Sequence, residues 1–296
     1  MVLALEVDVI RAFSFPMFFA LVLGLAACSP HSFNSSENLD GSAGILNGEL
    51  KTNRDTPASR SVVLIELLNR FDQSLTFCSA ALIGPHTLMT AGHCFDPRVA
   101  GPVTKFRVLF ESHYSSWGNH LMLNGTAFKQ HPLYNSTRLY DHDVAIGLFS
   151  GNIPPGFAPV AIDTDTTANY SNETVYAYGY GRTKDYTGIP GEDLRDSTGT
   201  LYRGALRITS YNDLADRYWT SPNTRAHLCQ GDSGGPQFLE KNGTLKIVGV
   251  NSASWGEMLP NGVRSCAGKS QATKVAPASG WIRSTEKELL QTAHYH

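Results

Sequence analysis

Gly231-Asp232-Ser233-Gly234-Gly235-Pro236 is the stretch of this sequence that decides its fold. It places a serine among residues too small to crowd the hydroxyl, as an exposed nucleophile on a sharp turn requires. Glycine lets the backbone come close to a substrate carbonyl. The N–H groups of Gly231 and Ser233 are then expected to point at one oxygen as an oxyanion hole. Serines in glycine-rich turns are usually structural, but the length and specificity of this string predict that Ser233 is a nucleophile.

A serine nucleophile needs a base, and Thr90-Ala91-Gly92-His93-Cys94 offers one. Asp141, His142 and Asp143 lie together further along the chain and contain a candidate acid that orients the imidazole. Two carboxylates beside a histidine also suggest a metal ligand cluster. A zinc site would need a tight His pair, a Cys pair or a His-Glu helix, and these features are missing here. We therefore predict no metal site.

The chain order of these residues separates two classes of serine hydrolase. The turn around Ser233 also fits the G-x-S-x-G elbow of α/β-hydrolases, but that fold needs its histidine after the serine. The histidines after Ser233 are His294 and His296, in the last three residues. The order His93, Asp143, Ser233 is instead that of chymotrypsin-like enzymes. Together, the three motifs resemble the chymotrypsin/trypsin family of serine endopeptidases.

The resemblance implies a role for each residue. The family's acid stands immediately before an apolar strand, as Asp143 stands before Val144-Ala145-Ile146, so Asp141 and His142 are expected to be loop residues. Asp143 would fix the tautomer of His93, which takes the proton of Ser233 as the hydroxyl attacks a peptide carbonyl. This chemistry needs no cofactor. It predicts an endopeptidase acting on protein or peptide substrates through an acyl-enzyme.

Ile45-Leu46-Asn47-Gly48 resembles the Ile-Val-Gly-Gly start of mature trypsin-like enzymes. In that family the carboxylate beside the nucleophile, here Asp232, pairs with the ammonium of the new N-terminus, here Ile45. An Asx turn is the alternative role for such an aspartate. Because a buried, unpaired carboxylate is costly, the resemblance implies a zymogen. Cleavage before Ile45 by another protease, or by the enzyme itself, would activate it.

The five cysteines are an odd number, which needs an explanation in an exported protein. Cys28 supplies it, because it ends a signal-like segment. The other four allow three pairings and indicate an oxidising compartment. The resemblance selects two disulfides among them: Cys78–Cys94 and Cys229–Cys266.

The N-terminal segment has the layout of a secretory signal. Residues 12–27 are almost wholly apolar and follow Arg11, but the run is too short for a spanning helix. Its ending, Leu25-Ala26-Ala27-Cys28, resembles a bacterial lipobox in which Cys28 carries lipid. We expect an exported bacterial protein that is periplasmic, anchored in the outer membrane or secreted. Its contact with a membrane would be through lipid on Cys28.

The rest of the chain predicts an all-β fold, because short apolar runs are separated by Gly, Pro, Asn and Asp. The predicted strands are 61–68, 78–83, 87–90, 106–110, 121–128, 143–149, 174–179, 201–209, 235–238, 245–251 and 271–275. Residues 280–294 predict a helix. The resemblance implies two six-stranded antiparallel β-barrels closed by this C-terminal helix.

This pattern predicts three regions in the chain. They are a signal peptide over 1–27, a linker or propeptide over 28–44, and a peptidase domain over 45–296. Within the peptidase domain the first barrel is expected over about 45–155 and the second over about 156–278.

The primary specificity pocket can be assigned only through the family. The residue six before the nucleophile forms its floor, and here it is His227, where trypsin-like specificity for Arg and Lys would need Asp. We therefore expect cleavage after Arg and Lys to be disfavoured. Alignment on Gly249 assigns three serines to substrate binding, namely Ser252 for the substrate backbone, Ser254 on the pocket wall and Ser270 opposite. An alternative register uses Ser254-Trp255-Gly256.

Composition excludes other classes of protein. The 296 residues are 42% apolar and 17% charged, which is enough for one large or two modest cores. A net charge of −2 without a long basic run argues against a nucleic-acid partner. The alternative function is a catalytically silent, protease-like binding lipoprotein of the surface or periplasm. Such relatives typically lose one member of the triad, and this sequence keeps all three.

Overall fold

The computed structural model describes residues 45–51, 53–114, 120–138, 140–189, 197–211, 216–222 and 225–293. The strands within these ranges are β1 (Glu49–Leu50), β2 (Val62–Leu68), β3 (Ser74–Leu82), β4 (Thr87–Thr90), β5 (Lys105–Leu109), β6 (Met122–Gln130), β7 (Ala145–Phe149), β8 (Thr174–Gly179), β9 (Tyr202–Tyr211), β10 (Arg217–Pro222), β11 (Pro236–Lys241), β12 (Thr244–Trp255) and β13 (Lys269–Lys274). The helices are α1 (Pro57–Ser61) and α2 (Val275–Ala293), and Gly92–Phe95 forms a 3₁₀ turn.

The first barrel closes in the order β2-β3-β4-β7-β6-β5, with antiparallel neighbours throughout. Its strands are rich in aliphatic and β-branched residues, which suit a pleated and buried surface. Ile65, Leu82, Val108 and Ile146 are all fully buried in its core. Closure leaves the ring of six strands without an unpaired edge.

The second barrel closes in the order β8-β9-β10-β13-β12-β11, because β9 also pairs with β8. The two-residue strand β1 adds to the outside of this ring by pairing with β9. Val175, Ile208 and Tyr218 are fully buried in its core. The structure therefore confirms the predicted fold of two six-stranded antiparallel barrels and a C-terminal helix.

Helix α2 begins at Val275, earlier than the predicted start at residue 280. Pro277 lies in the first turn, which tolerates proline because its N–H groups have no partner within the helix. Ala278 and Ile282 are buried where the helix packs on β6, β7 and β12. Among the described helices, none has both the length and the apolar composition needed to cross a bilayer.

Other elements also differ from the prediction. Strand β10 was not predicted, although Tyr218 and Thr220 alternate with less buried neighbours along it. Helix α1 was also missed, and Thr56 caps it by accepting a hydrogen bond from the Ser59 N–H. Strand β7 begins at Ala145 rather than 143, because the backbone N–H of Val144 donates to the nearby carbonyl of His142 instead of to a neighbouring strand.

Candidate active site

The candidate nucleophile and base line one cleft, and the candidate acid is buried in contact with the base. His93 lies on the 3₁₀ turn after β4, Asp143 lies just before β7, and Ser233 lies on the turn that leads into β11. His93 and Ser233 both line a cavity of about 210 Å³, with Ser252 and Ser254 on its wall. Short motifs at the ends of strands in both barrels thus meet at one site.

Asp143 is fully buried and holds His93 at two points. The main-chain N–H of His93 donates to Oδ1 and the ring Nδ1–H donates to Oδ2, each over 2.7 Å. Nδ1 must carry the hydrogen, since an ionised carboxylate can only accept. The other ring nitrogen, Nε2, is then left as an acceptor. Burial would lower the pKa of His93, but the charge and hydrogen bond of Asp143 and the charge of Asp96 raise it overall.

Ser252 contacts this pair in a way that the sequence did not predict. Its hydroxyl donates to Oδ2 of Asp143 over 2.6 Å, so the carboxylate accepts three hydrogen bonds from described residues. The two residues are 109 positions apart, and no local pattern joins them. Sequence reasoning had assigned Ser252 only to the substrate backbone.

Ser233 sits on a turn whose backbone requires glycine. Gly231 has φ 97° and Gly234 has φ 80°, and a Cβ on Gly234 would lie 1.9 Å from Oγ1 of Thr90. The N–H of Gly234 donates to the carbonyl of Asn251, which fixes the turn against β12. In the described part of the chain, the Ser233 hydroxyl has no hydrogen-bond partner and is half-buried in the cleft. It is therefore free to meet a substrate carbonyl.

Asp232 is among the residues that line the cleft, yet it is only 1% exposed. Its carboxylate accepts hydrogen bonds from the backbone N–H groups of Gly181 and Cys229, each over 2.8 Å. Burial raises the pKa of Asp232 to about 7, although these two hydrogen bonds act in the opposite direction. Among the described residues no cation pairs with this carboxylate. Ile45 is also buried, but its side chain packs in the second core.

The predicted specificity residues fall into two groups. Ser252 and Ser254 line the cleft. Ser270 is buried and lies opposite Ser254 in the β12–β13 pairing. The ring Nδ1 of His227 is 3.2 Å from the carbonyl oxygen of Gly268, and its backbone pairs with Leu46. Neither Ser270 nor His227 is among the residues that line the described cavity.

Both predicted disulfides are formed, Cys78–Cys94 beside His93 and Cys229–Cys266 beside the nucleophile turn. Two groupings of potential metal ligands occur in the described chain, and each contains both sulfurs of one disulfide. A disulfide sulfur is not the thiolate that binds zinc. Cys28 lies outside the described residues.

The two residues beside Asp143 have other partners. Asp141 forms an ion pair with Arg217, and the backbone N–H of His142 donates to Asp216. The ring of Tyr140, from the same loop, packs on His93 with centroids 5.3 Å apart. This contact was missed, because one aromatic residue in a loop carries no sequence signal of its position.

Two antiparallel barrels that bring a His–Asp pair and a glycine-flanked serine into one cleft are typical of chymotrypsin-like serine endopeptidases. Residues 53–282 match the family model described as Trypsin. The chain is 31% identical over 251 residues to alkaline trypsin B of Manduca sexta, covering 80% of this chain and 88% of the relative. It is 30% identical to alkaline trypsin C of the same organism, with the same coverage. The chain therefore belongs to the trypsin family and is a serine-type endopeptidase.

A solved structure of HL collagenase has the same fold, with a TM-score of 0.61 and 16% identity, over 82% of this chain and 98% of that one. This likeness concerns the fold alone. Membership of the protease family implies protein or peptide substrates. The two disulfides indicate that the protein is exported to an oxidising compartment.

Proposed function

We propose that His93, Asp143 and Ser233 act as one catalytic triad in peptide-bond hydrolysis. The observation that carries the proposal is the 2.7 Å bond from Nδ1 of His93 to the buried Asp143, in the cleft that also holds Ser233. This bond leaves Nε2 able to accept the Ser233 proton. His93 then returns the proton to the leaving amine, and water attacks the acyl-enzyme in the same way.

The negative oxygen formed in each attack would be bound by the N–H groups of Gly231 and Ser233. Neither N–H donates to a carbonyl of the described chain, so both are available to a substrate. Removing one such donor typically lowers the rate by about 10²–10³. Charge stabilisation by backbone groups needs no metal ion or organic cofactor.

The test compares Ser233→Ala and His93→Ala with Ser284→Ala, which removes an exposed hydroxyl on α2. The first two variants should lose about 10⁶ in kcat while keeping the fold, because a triad acts as a unit. The control should hydrolyse peptides like the wild type. A phosphonofluoridate probe should label the wild type at Ser233. Folded wild-type protein that has been cut before Ile45, yet neither turns over peptides nor reacts with the probe, would instead fit the alternative function of a protease-like binding protein.

We also propose that the chain is a zymogen, activated by cleavage before Ile45. Ile45 is β-branched yet has φ 45° in the uncut chain, and such strain typically costs about 1–3 kcal/mol. Asp232 is buried without a cation. Cleavage would relieve the strain and supply an ammonium to Asp232. Gly44 precedes the bond, so the activating protease would accept glycine, or the enzyme would cut itself.

The proposed division of the chain is a signal over 1–27, a linker or propeptide over 28–44 and the peptidase domain over 45–296. If Cys28 carries lipid in a bacterial cell, cleavage before Ile45 leaves the lipid on the short fragment. The four remaining cysteines are bonded to one another, so none is free to retain that fragment. Activation would then also release the enzyme. Fractionated cells should contain inactive precursor in membranes and soluble active enzyme that begins at Ile45.

Full activity in uncut, membrane-bound protein that begins at Cys28 would contradict this coupling. An Ile45→Gly variant is the matched comparison, because it lacks the side chain that packs in the second core. It should be cut at the same bond but activate poorly, which separates cleavage from insertion of the new N-terminus.

A further inference from the structure

We propose that Ser79 is a positioning residue that holds the nucleophile turn in its reactive conformation; this inference rests on the proposed function. Ser79 lies on β3 of the first barrel and is fully buried. The triad chemistry described above does not use it. Its contacts nevertheless reach both sides of the turn that carries Ser233.

The hydroxyl of Ser79 bridges the two barrels. It donates to the carbonyl of Gly231 over 2.8 Å and accepts from the N–H of Tyr180, the residue after β8, over 3.0 Å. The main-chain N–H of Ser79 donates to the carbonyl of Ser233 over 2.8 Å. One residue of the first barrel therefore binds the carbonyls of both proposed oxyanion-hole residues.

These contacts restrain the backbone that carries the oxyanion donors. The carbonyl of Gly231 belongs to the Gly231–Asp232 peptide and the carbonyl of Ser233 to the Ser233–Gly234 peptide, and both flank the peptide that carries the Ser233 N–H. Gly231 has φ 97°, and glycine has no Cβ to restrict its rotation, so this turn needs an external restraint. The Ser79 hydroxyl supplies it by holding the carbonyl of Gly231. The carbonyl of Ser233 is held by a backbone N–H that any residue would provide. The hydroxyl is therefore the part of this clamp that depends on the side chain.

The clamp also connects the nucleophile to the base. Ser79 follows Cys78, which is bonded to Cys94, and Cys94 follows His93. Two hydrogen bonds and one disulfide thus form a short route from the Ser233 turn to the imidazole. A nucleophile and a base must be held near hydrogen-bond distance for proton transfer. Ser79 helps to set that distance, because it ties the turn to the strand that carries the disulfide.

The experiment measures kcat per active site, counted by titration with the serine probe, for Ser79→Ala and for Ser61→Ala. Ser61 is also a fully buried serine, and its hydroxyl donates only to the nearby carbonyl of Ala58. Losing a whole oxyanion donor costs about 10²–10³, so a poorly oriented donor should lower kcat by about 10- to 100-fold. KM should change by less than about twofold, because ground-state binding is kept.

A peptide boronate, which mimics the tetrahedral intermediate, should bind Ser79→Ala more weakly by the same factor as the loss in kcat/KM. A peptide product should bind as it does to the wild type. A role confined to folding would reduce the number of titrated sites and leave kcat per site unchanged. Ser79→Gly provides a second variant if the alanine protein is poorly folded. Its larger space admits a water that can bridge Tyr180 and Gly231, so its kcat should exceed that of Ser79→Ala.

The role of Ser79 would be overturned by an unchanged kcat per site in both Ser79 variants, or by an equal loss of kcat in Ser61→Ala. The proposed triad would still stand in either case, because the wild type would turn over peptides. Wild-type protein that has been cut before Ile45 and still shows neither turnover nor probe labelling would overturn the triad itself and this role with it. A loss of kcat with matching loss of boronate affinity, absent from Ser61→Ala, would support the clamp.

Discussion

In the uncut chain, Asp232 should make the fold less stable as the pH rises. Burial raises the pKa of Asp232 to about 7, whereas an unperturbed aspartate titrates near about 3.9. The folded state therefore binds the proton more tightly than the unfolded state. The stability from this group is fully present below about pH 4 and is lost as the pH rises through about 7. Over about three pH units, the loss amounts to about 4 kcal/mol.

The assay is urea denaturation, followed by tryptophan fluorescence, of uncut protein in a Ser233→Ala background that prevents self-cleavage. Between pH 5 and pH 7.5 the free energy of unfolding should fall by about 3 kcal/mol from this group alone. Adding Asp232→Asn removes the titrating group. The difference in the free energy of unfolding between the two proteins should therefore change by about 3 kcal/mol over this pH range. Protein cut before Ile45 should not show this decline, because the new ammonium stabilises the charged carboxylate. Parallel pH curves for the two uncut proteins would refute the reasoning.

Three further predictions concern other parts of the molecule. Asp143→Asn should lower kcat by about 10⁴, because an amide cannot fix the same tautomer of His93. In the same steady-state assays, the kcat of Asp141→Asn should remain within about tenfold of wild type, and the reverse result would mean that the acid is misassigned. A peptide library should show little cleavage after Arg or Lys if His227 forms the pocket floor, and a profile dominated by basic residues would contradict this. Arg54→Met should lower Tm by about 10 °C in thermal unfolding, because it removes the charged hydrogen bonds from Arg54 to the carbonyls of Ser59, Val62 and Glu111. Arg60→Met, at an exposed position, should match the wild type, and an equal loss there would rule out the contacts of Arg54 as the cause.

The strand runs predicted the β-class because alternation and turn residues are local properties of the chain. The sequence patterns mispredicted elements where the local preference of the residues differs from the structure that tertiary packing imposes. Helix α2 begins at Val275, two residues before Pro277. Proline disfavours the interior of a helix but is tolerated in its first turn. Strand β10 has six residues and ends at Pro222, a residue type that is rare inside sheets, so its short aromatic pattern was not recognised. Packing between β9 and β13 holds it in the sheet.

The sequence by itself determined the family resemblance, the candidate triad of His93, Asp143 and Ser233, and the two disulfides that the resemblance implied. The triad residues stand in short strings of neighbouring residues, and the disulfide pairing came from the family that those strings resemble. Only the tertiary structure decided that Ser252 donates to Asp143 and that Ser79 bridges Tyr180 and Gly231. The bond between Ser252 and Asp143 joins positions 109 apart, and that from Ser79 to Gly231 joins positions 152 apart. The register of the strands and the docking of two barrels set such contacts, and neither property is local to any segment of the chain.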